Sequence, residues 1–355
     1  MRQYDSRYDS KVHPIIWSED HLELLDQRKL PQEITMQQCW TCEEVIEAIR
    51  DMVVRGAPAI GVSAAYGMVL AARVAVSANA DNWRSIFDDK VNALKQARPT
   101  AVNLAWAIEK MLATPDLTQE KAVDALLAAA LRMHEEDIMT NQRMGDLGAE
   151  LVEQGAHVMT HCNAGALATA GYGTALGVIR SAHRERGIEN VYACETRPWL
   201  QGARLTAWEL MQDEVPVTLL ADHAAAQLMH TRRGTSSQLS WVITGADRVA
   251  ANGDVANKIG TYALAIAARA HGVGMMVVAP CSTIDLNTDS GAKIPIECRD
   301  SDEILSLNGE RIAPHNVNAL NPVFDVTPAA LIDVLVTERG VIRNPDQAKI
   351  RALFE

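Results

Sequence analysis

The sequence predicts an α/β protein in which a small, mainly helical N-terminal domain with a short strand hairpin precedes a Rossmann-like domain with a parallel sheet. Apolar residues recur with helical spacing through most of the first 150 residues. From about residue 156 onward, short and nearly continuous apolar runs alternate with helix-compatible segments. We therefore expect domains at residues 1–150 and 151–355. No Pro- or Ser-rich linker separates them, which favours a continuous helix at the boundary.

The N-terminal elements are predicted from local signals. Two short apolar runs, residues 14–17 and 22–25, indicate a strand hairpin. Thr41 followed by Glu44 forms a capping box, which predicts the start of an amphipathic helix. Pro58 suits the first turn of a second helix that continues into residues rich in Ala and Val. Further helical patterns are found at residues 82–97, 101–112 and 118–154.

Short apolar runs predict the strands of the C-terminal sheet, because strands buried on both faces of a parallel sheet carry apolar residues almost without interruption. The runs lie at residues 156–160, 191–194, 217–220, 241–244 and 273–278. Each is followed by Gly, Asp or Asn and then by a helix-compatible segment. Since open parallel sheets bind ligands at the carboxyl ends of their strands, the residues that follow these runs are candidates for a site.

Two side chains in these loops could carry chemistry. Cys162 follows the first predicted strand, and Asp247 follows the fourth. Cys162 is either an inert core thiol or a reactive one, because we expect a helix N-terminus directly after it that would favour a thiolate. Asp247 is either a turn residue or a general acid or base in a partly desolvated pocket.

Polar residues near predicted helix starts could bind an anion such as phosphate, because the backbone amides of a first helical turn point at the ligand. Asn257 and Lys258 are expected to open the helix that follows Asp247. For each cation the alternative is a solvated surface charge. The candidates are Arg55 with Gly56 and Ala57, Arg98, and Asn257 with Lys258.

Charge and composition exclude several classes of partner. The formal net charge of −12, from 33 Lys and Arg against 45 Asp and Glu, has the wrong sign for wrapping nucleic acid or lying on anionic lipid. The six cysteines do not resemble a disulfide framework, and no apolar leader opens the chain, so we expect a cytoplasmic protein. Charged residues interrupt the two longest apolar tracts, near residues 65–80 and 263–281, so no membrane span is predicted.

Other motifs are weak. Gly171, Gly173 and Gly177 are one residue off the dinucleotide spacing and lack an acidic partner, which disfavours a nicotinamide dehydrogenase, and no P-loop sequence is present. Cys39 and Cys42 form a single C-x-x-C without a second pair and without a preceding βαβ strand. A closed zinc site or a thioredoxin-type redox site is therefore not expected.

Several longer stretches resemble one known family. The sequence is similar to the S-methyl-5-thioribose-1-phosphate isomerases of methionine salvage, which in turn resemble the regulatory subunits of initiation factor 2B and the phosphorylated-ribose isomerases of archaeal nucleotide salvage. The likeness spans roughly residues 40–345. The stretches are residues 55–61, 98–104, 160–169, 195–198 with 201–206, 245–248 with 252–262, and 321–328.

The resemblance implies an aldose–ketose isomerase that needs no metal or organic cofactor and acts as a homodimer on a small phosphorylated pentose, with neither nucleic acid nor membrane as a partner. It implies that Cys162 and Asp247 are the catalytic pair. An alternative substrate is 5-deoxyribose 1-phosphate, which differs only at the 5-substituent. A regulatory subunit that binds a sugar phosphate or nucleotide without turnover would be expected to lack the thiol or the carboxylate, and both are present. The implied substrate-binding residues are Arg55, Gly56, Ala57, Arg98, Gln201, Asn257 and Lys258.

Overall fold

The computed structural model describes residues 10–78, 82–98, 102–115, 117–307 and 309–355, and these residues divide into two compact units. The first unit runs to Gln142 and also contains Gly165–Gly173. The second unit consists of Arg143–Ala164 and Thr174–Glu355. Compared with the predicted domains, residues 143–150 group with the second unit, and a nine-residue excursion groups with the first.

The first unit contains a small antiparallel sheet and helices. The strands β1 (Ile15–Ser18), β2 (His21–Leu25) and β3 (Met36–Cys39) lie in that order. The predicted hairpin of β1 and β2 is confirmed, whereas β3 was not predicted because its sequence MQQC has no apolar alternation. The helices are α1 (Cys42–Arg50), α2 (Ala57–Ala78), α3 (Trp83–Lys95), α4 (Val102–Leu112) and α5 (Ala122–Ala149), of which α5 continues past Gln142 so that its last seven residues group with the second unit.

Two helices of the first unit show why the sequence folds as it does. At the start of α1, the Glu44 amide donates to Thr41 Oγ1 over 3.2 Å and the Thr41 amide donates to Glu44 Oε2 over 2.9 Å, so the predicted capping box is confirmed. α2 is apolar on every side and, by length and composition, could cross a membrane. Because 83% of its most apolar 18-residue stretch is buried inside the protein, α2 is the core helix of this unit.

The second unit is built on a seven-stranded sheet and a smaller four-stranded sheet. Its elements are β4 (His157–Thr160), α6 (Ala175–Arg186), β5 (Asn190–Cys194), α7 (Ala207–Gln212), β6 (Val217–Leu220), α8 (Ala225–Arg232), β7 (Leu239–Thr244), β8 (Arg248–Ala250), β9 (Val255–Lys258), α9 (Thr261–His271), β10 (Gly274–Val278), β11 (Ile284–Asp285), α10 (Asp302–Leu305), β12 (Ser306–Leu307), β13 (Glu310–Arg311), β14 (Phe324–Thr327), β15 (Val334–Thr337), β16 (Gly340–Arg343) and α11 (Gln347–Ala352). The predicted strands correspond to β4, β5, β6, β7 and β10, and all pair in parallel.

Both faces of the larger sheet are buried at its central strands, which explains their continuous apolar runs, whereas the edge strand β6 exposes Thr218 and Leu219. Neighbouring residues in one strand point to opposite faces. Val158 and Met159 accordingly belong to two different apolar clusters, and so do Val242 and Ile243. β15 extends the parallel sheet, and β16 closes that edge in the antiparallel direction.

The strand order of the larger sheet reverses at β4. The order is β16-β15-β10-β7-β4-β5-β6. From β4 the chain moves outward through β5 and β6 on one side, and it then returns to β7 on the other side of β4. Such a reversal leaves a crevice at the carboxyl ends of the two strands that flank it, here β4 and β7, where open α/β sheets bind ligands.

Candidate active site

Cys162 and Asp247 flank the strand-order reversal. β4 and β7 are neighbours in the sheet, with Thr160 opposite Ile243. Cys162 lies two residues beyond the end of β4, and Asp247 lies three residues beyond the end of β7. The topology therefore places both residues at the edge where a Rossmann-like sheet binds its ligand.

The backbone of Cys162 is held in an unusual conformation. Its φ is +62°, in the left-handed region that non-glycine residues rarely adopt. Its amide donates to Thr196 Oγ1 over 2.9 Å, and its carbonyl accepts from Thr206 Oγ1 over 2.5 Å. The side chain is largely buried. The local geometry of this residue is thus fixed from both sides.

The helix predicted directly after Cys162 is wrong. A single 3-10 turn, Ala166–Ala168, follows the loop, and α6 begins only at Ala175. The cause is the segment Gly165–Gly173, which groups with the first unit and separates the strand from its helix. The structure therefore gives no support for a helix dipole acting directly after this thiol.

Asp247 has a fixed backbone and an exposed side chain. Its amide donates to the carbonyl of Ala256 in β9 over 2.9 Å. The residue is exposed to solvent. The partly desolvated pocket that we expected around it would therefore have to form when a substrate displaces water.

Asn257 and Lys258 do not open a helix, contrary to the prediction. They end β9, a strand of the smaller sheet, and α9 starts only at Thr261. β9 was missed because it has only four residues, two of them polar. Both side chains are buried: Asn257 Nδ2 donates to Thr261 Oγ1 over 3.0 Å, and Lys258 Nζ lies 4.4 Å from the centre of the Phe324 ring.

Gln201 precedes the π-helical turn Gly202–Thr206 and is buried. Its Oε1 atom has no hydrogen-bond partner in the part of the chain that the structure describes. A buried carbonyl oxygen without a partner costs roughly 1–3 kcal/mol. This supports a role for Gln201 in binding a ligand with a hydrogen-bond donor.

Arg55, Gly56, Ala57 and Arg98 belong to the first unit. Arg55 is buried directly ahead of α2, which begins at Ala57, one residue before the predicted start. Arg98 is half-buried. The neighbouring residues of its motif, 99–101, lie outside the described residues.

Gly56 cannot be replaced without strain. Its φ is +94°, and a Cβ atom there would lie 2.5 Å from both the Cα and the carbonyl oxygen of Ala168. We expect Gly56→Ala to destabilise the protein by at least about 2 kcal/mol, since backbone strain and a backbone clash add. Urea unfolding measures this. Gly234→Ala is a control whose φ, +72°, is also positive but which has open space around it, and an equal loss in both variants would contradict the clash.

Asp137 anchors the excursion Gly165–Gly173 within the first unit. Its Oδ2 atom accepts from the Ala170 amide over 2.8 Å and from Asn141 Nδ2 over 3.0 Å. Burial raises the pKa of Asp137 to about 6, and the two hydrogen bonds offset only part of this. The carboxyl group is therefore more easily protonated in the folded protein than in the unfolded chain.

This pKa predicts a pH dependence of stability. Between about pH 4 and pH 6 the folded state holds a proton that the unfolded chain has released, so stability falls as the pH rises through this window. Asp137→Asn can keep both hydrogen bonds through its carbonyl oxygen. We expect it to raise the unfolding free energy by about 1–3 kcal/mol at pH 8 and to leave it unchanged near pH 4.

Urea unfolding at the two pH values tests this expectation. Asp124→Asn, at an exposed position on α5, is the matched control and is expected to shift stability by less than about 1 kcal/mol. A loss of stability in Asp137→Asn at pH 8 would contradict the prediction.

Three further side chains meet beside Cys162. His161, Cys194 and Asp222 each place a potential metal-ligand atom within 4.8 Å of the others, and all three line a cleft of about 690 Å³ in the second unit. Burial raises the pKa of Cys194 to about 12 and lowers that of His161. Both oxygens of Asp222 already accept backbone hydrogen bonds, from Thr196 and Arg197. Through these hydrogen bonds, Asp222 stabilises the loop after β5, which contains Thr196 and Arg197.

Comparisons with known proteins give a consistent result. The profile of the initiation factor 2 subunit family matches residues 53–344. Methylthioribose-1-phosphate isomerase from Alkalilimnicola ehrlichii is 57% identical over 343 residues, covering 97% of this chain and 98% of the relative. The protein of the same name from Thioalkalivibrio sulfidiphilus is 53% identical over 355 residues and covers both chains completely.

Solved structures agree in fold. The crystal structure of 5-methylthioribose 1-phosphate isomerase from Pyrococcus horikoshii is similar with a TM-score of 0.92 at 40% identity, over 99% of this chain and 98% of that chain. A structure described as translation initiation factor eIF-2B, subunit delta, from A. fulgidus is similar with a TM-score of 0.87 at 40% identity, over 97% of this chain and 100% of that chain. The predicted fold class is thereby confirmed.

Proposed function

Because the chain belongs to the methylthioribose-1-phosphate isomerases within the initiation factor 2 subunit family, we propose that it converts 5-methylthioribose 1-phosphate to 5-methylthioribulose 1-phosphate in methionine salvage. The observation that carries the proposed site is the placement of Cys162 and Asp247 after β4 and β7, on either side of the strand-order reversal. We further propose that the enzyme is a cytoplasmic homodimer that needs no cofactor.

The substrate explains the need for an acid. A pentose phosphorylated on its anomeric oxygen cannot open to a free aldehyde, so the ring C1–O bond must break while the ring oxygen takes up a proton. One hydrogen moves from C2 to C1, and the hydroxyl proton on C2 leaves as the ketone forms. We assign protonation of the ring oxygen to Asp247.

Cys162 is assigned to the C1–C2 end of the sugar, as a base or as a group that stabilises the transition state. Its fixed backbone favours a defined position for the thiol, which suits either role. In the first unit, Arg55, Gly56, Ala57 and Arg98 are proposed substrate ligands. In the second unit, the buried Gln201, Asn257 and Lys258 are proposed to bind hydroxyl or phosphate groups.

Turnover of methylthioribose 1-phosphate by the purified protein, followed by NMR, tests the function. Cys162→Ser is expected to reduce kcat by at least about 100-fold. Cys298→Ser is the matched control, because this thiol is exposed. Full activity of Cys162→Ser would contradict the mechanism. Activity that survives dialysis against a chelator is expected if no metal is needed.

The competing substrate is 5-deoxyribose 1-phosphate. A pocket discriminates between small apolar 5-substituents by roughly 1–3 kcal/mol, equivalent to about 10–200-fold in kcat/KM. Competition between the two sugars is expected to favour the methylthio compound within this range. A preference for the deoxy sugar would assign the chain to the alternative reaction.

A further inference from the structure

Cys162 depends on other residues for its backbone conformation. A non-glycine residue in the left-handed region costs about 1–3 kcal/mol and persists only when its surroundings hold it there. Here the two peptide groups that flank the Cys162 Cα are each tied by a threonine hydroxyl, the amide by Thr196 and the carbonyl by Thr206. With both peptides fixed, the direction of the Cα–Cβ bond is fixed as well.

Thr196 is itself strained and is held by a carboxylate. Its φ is +63°, which is rarer still for a β-branched residue. Asp222, which follows β6, accepts the Thr196 amide at Oδ1 over 2.7 Å and the Arg197 amide at Oδ2 over 2.8 Å. Hydrogen bonds to a carboxylate are stronger than those between neutral groups, so this pair of hydrogen bonds can offset the backbone strain of Thr196.

The hydroxyl of Thr196 has three partners. It is fully buried, accepts the Cys162 amide over 2.9 Å, donates to the Cys194 carbonyl over 3.0 Å, and lies 3.4 Å from His161 Nδ1. The carboxyl ends of three adjacent strands are thereby linked in order, from β6 through β5 to β4.

Thr206 holds the other side of Cys162. It ends the π-helical turn Gly202–Thr206, and such turns are frequent at functional sites. Asn163 Nδ2 donates to Thr206 Oγ1 over 3.3 Å, which leaves the hydroxyl hydrogen for the Cys162 carbonyl. The turn fits only because residue 202 is glycine: a Cβ there would lie 1.6 Å from the Cys194 carbonyl oxygen.

We propose that Thr196 and Thr206 are positioning residues that clamp the backbone of Cys162, and that Asp222 fixes Thr196 for this task. The proposal rests on the proposed catalytic role of Cys162. Neither threonine needs to touch the substrate. Their contribution is expected in the catalytic step, because displacement of a catalytic group by about 1 Å can cost on the order of 100-fold in rate.

The test compares Thr196→Val, which removes the hydroxyl at nearly constant shape, with Thr196→Ser, which keeps it. Thr196→Val is expected to lower kcat by about 10–100-fold with KM changed less than about 3-fold. Thr196→Ser is expected to recover kcat to within about 3-fold of the unchanged enzyme. Thr327→Val is the matched control: Thr327 Oγ1 is also buried but has no hydrogen-bond partner among the described residues.

Hydrogen exchange separates this proposal from the proposed function. Mass spectrometry of the peptide containing Cys162 is expected to show faster amide exchange in Thr196→Val, and unchanged exchange in Thr196→Ser and Thr327→Val. If the unchanged protein does not turn over the substrate, the proposed function fails and the exchange result alone decides whether Thr196 holds Cys162. Unchanged kcat and exchange in Thr196→Val, or a kcat in Thr196→Ser as low as in Thr196→Val, would overturn the clamp.

Discussion

Asp247→Asn is expected to reduce kcat for methylthioribose 1-phosphate by about 10²–10⁴-fold, because an amide of the same shape cannot deliver a proton to the ring oxygen. Substrate binding, measured by calorimetry, is expected to remain within a few-fold. The loss should therefore appear in kcat and not in affinity.

The pH profile offers a second measurement for Asp247. An acid must be protonated to act, so the kcat of the unchanged enzyme is expected to fall on the alkaline side, and this limb should be missing from the residual activity of Asp247→Asn. Asp289→Asn is the matched control, since Asp289 is exposed and pairs only with Lys293 among the described residues. An Asp247→Asn enzyme with more than about a tenth of the original kcat would contradict the assignment.

Arg180→Met is expected to destabilise the protein by about 3–5 kcal/mol, because it leaves two carboxylates buried without their counter-charge. The guanidinium lies 2.8 Å from Glu209 and 2.6 Å from Asp213, and all three side chains are nearly inaccessible to solvent. Burial alone would lower the pKa of Arg180, but the two carboxylates hold it above its ordinary value.

Two further variants test whether the effect comes from the buried charges. Adding Glu209→Gln to Arg180→Met removes one of the uncompensated charges and is expected to recover part of the lost unfolding free energy. Arg184→Met, one turn further along α6, breaks partly exposed ion pairs and is expected to cost about 0–1 kcal/mol. Equal urea midpoints for Arg180→Met and Arg184→Met would show that the buried ion pairs contribute no more to stability than the partly exposed ones.

The buried ion pairs also connect the stability of the fold to the candidate active site. Glu209 Oε2 accepts from Asn163 Nδ2 over 3.0 Å, and Asn163 follows Cys162 directly. Arg180→Met is therefore expected to impair turnover at temperatures well below its unfolding midpoint.

Five of the seven strands of the larger sheet could be predicted, because each is visible as an apolar run. β15 and β16 were not predicted, although β15 is as apolar and as buried as the central strands. The smaller sheet could not be predicted: β9 is short and half polar, and its partner β14 lies far along the chain, with Lys258 opposite Phe324. For the candidate active site too, residues that contact each other from distant parts of the chain could not be predicted. Cys162 and Asp247 follow recognisable strands, whereas Thr196 and Thr206 act on Cys162 from 34 and 44 residues away. Side-chain hydroxyls leave no periodic signal in a sequence, although both threonines lie inside the motif stretches.

The excursion Gly165–Gly173 has a consequence for synthesis on the ribosome. The first unit needs this segment, since Gly56 packs against Ala168 and Asp137 binds the Ala170 amide. The nascent N-terminal region therefore cannot complete its fold when residue 142 emerges. It can do so only after β4 and the segment Gly165–Gly173 have also been synthesised, which takes on the order of seconds. A fragment ending at residue 142 would lack part of its own core, so this half of the chain is not expected to behave as a transferable module.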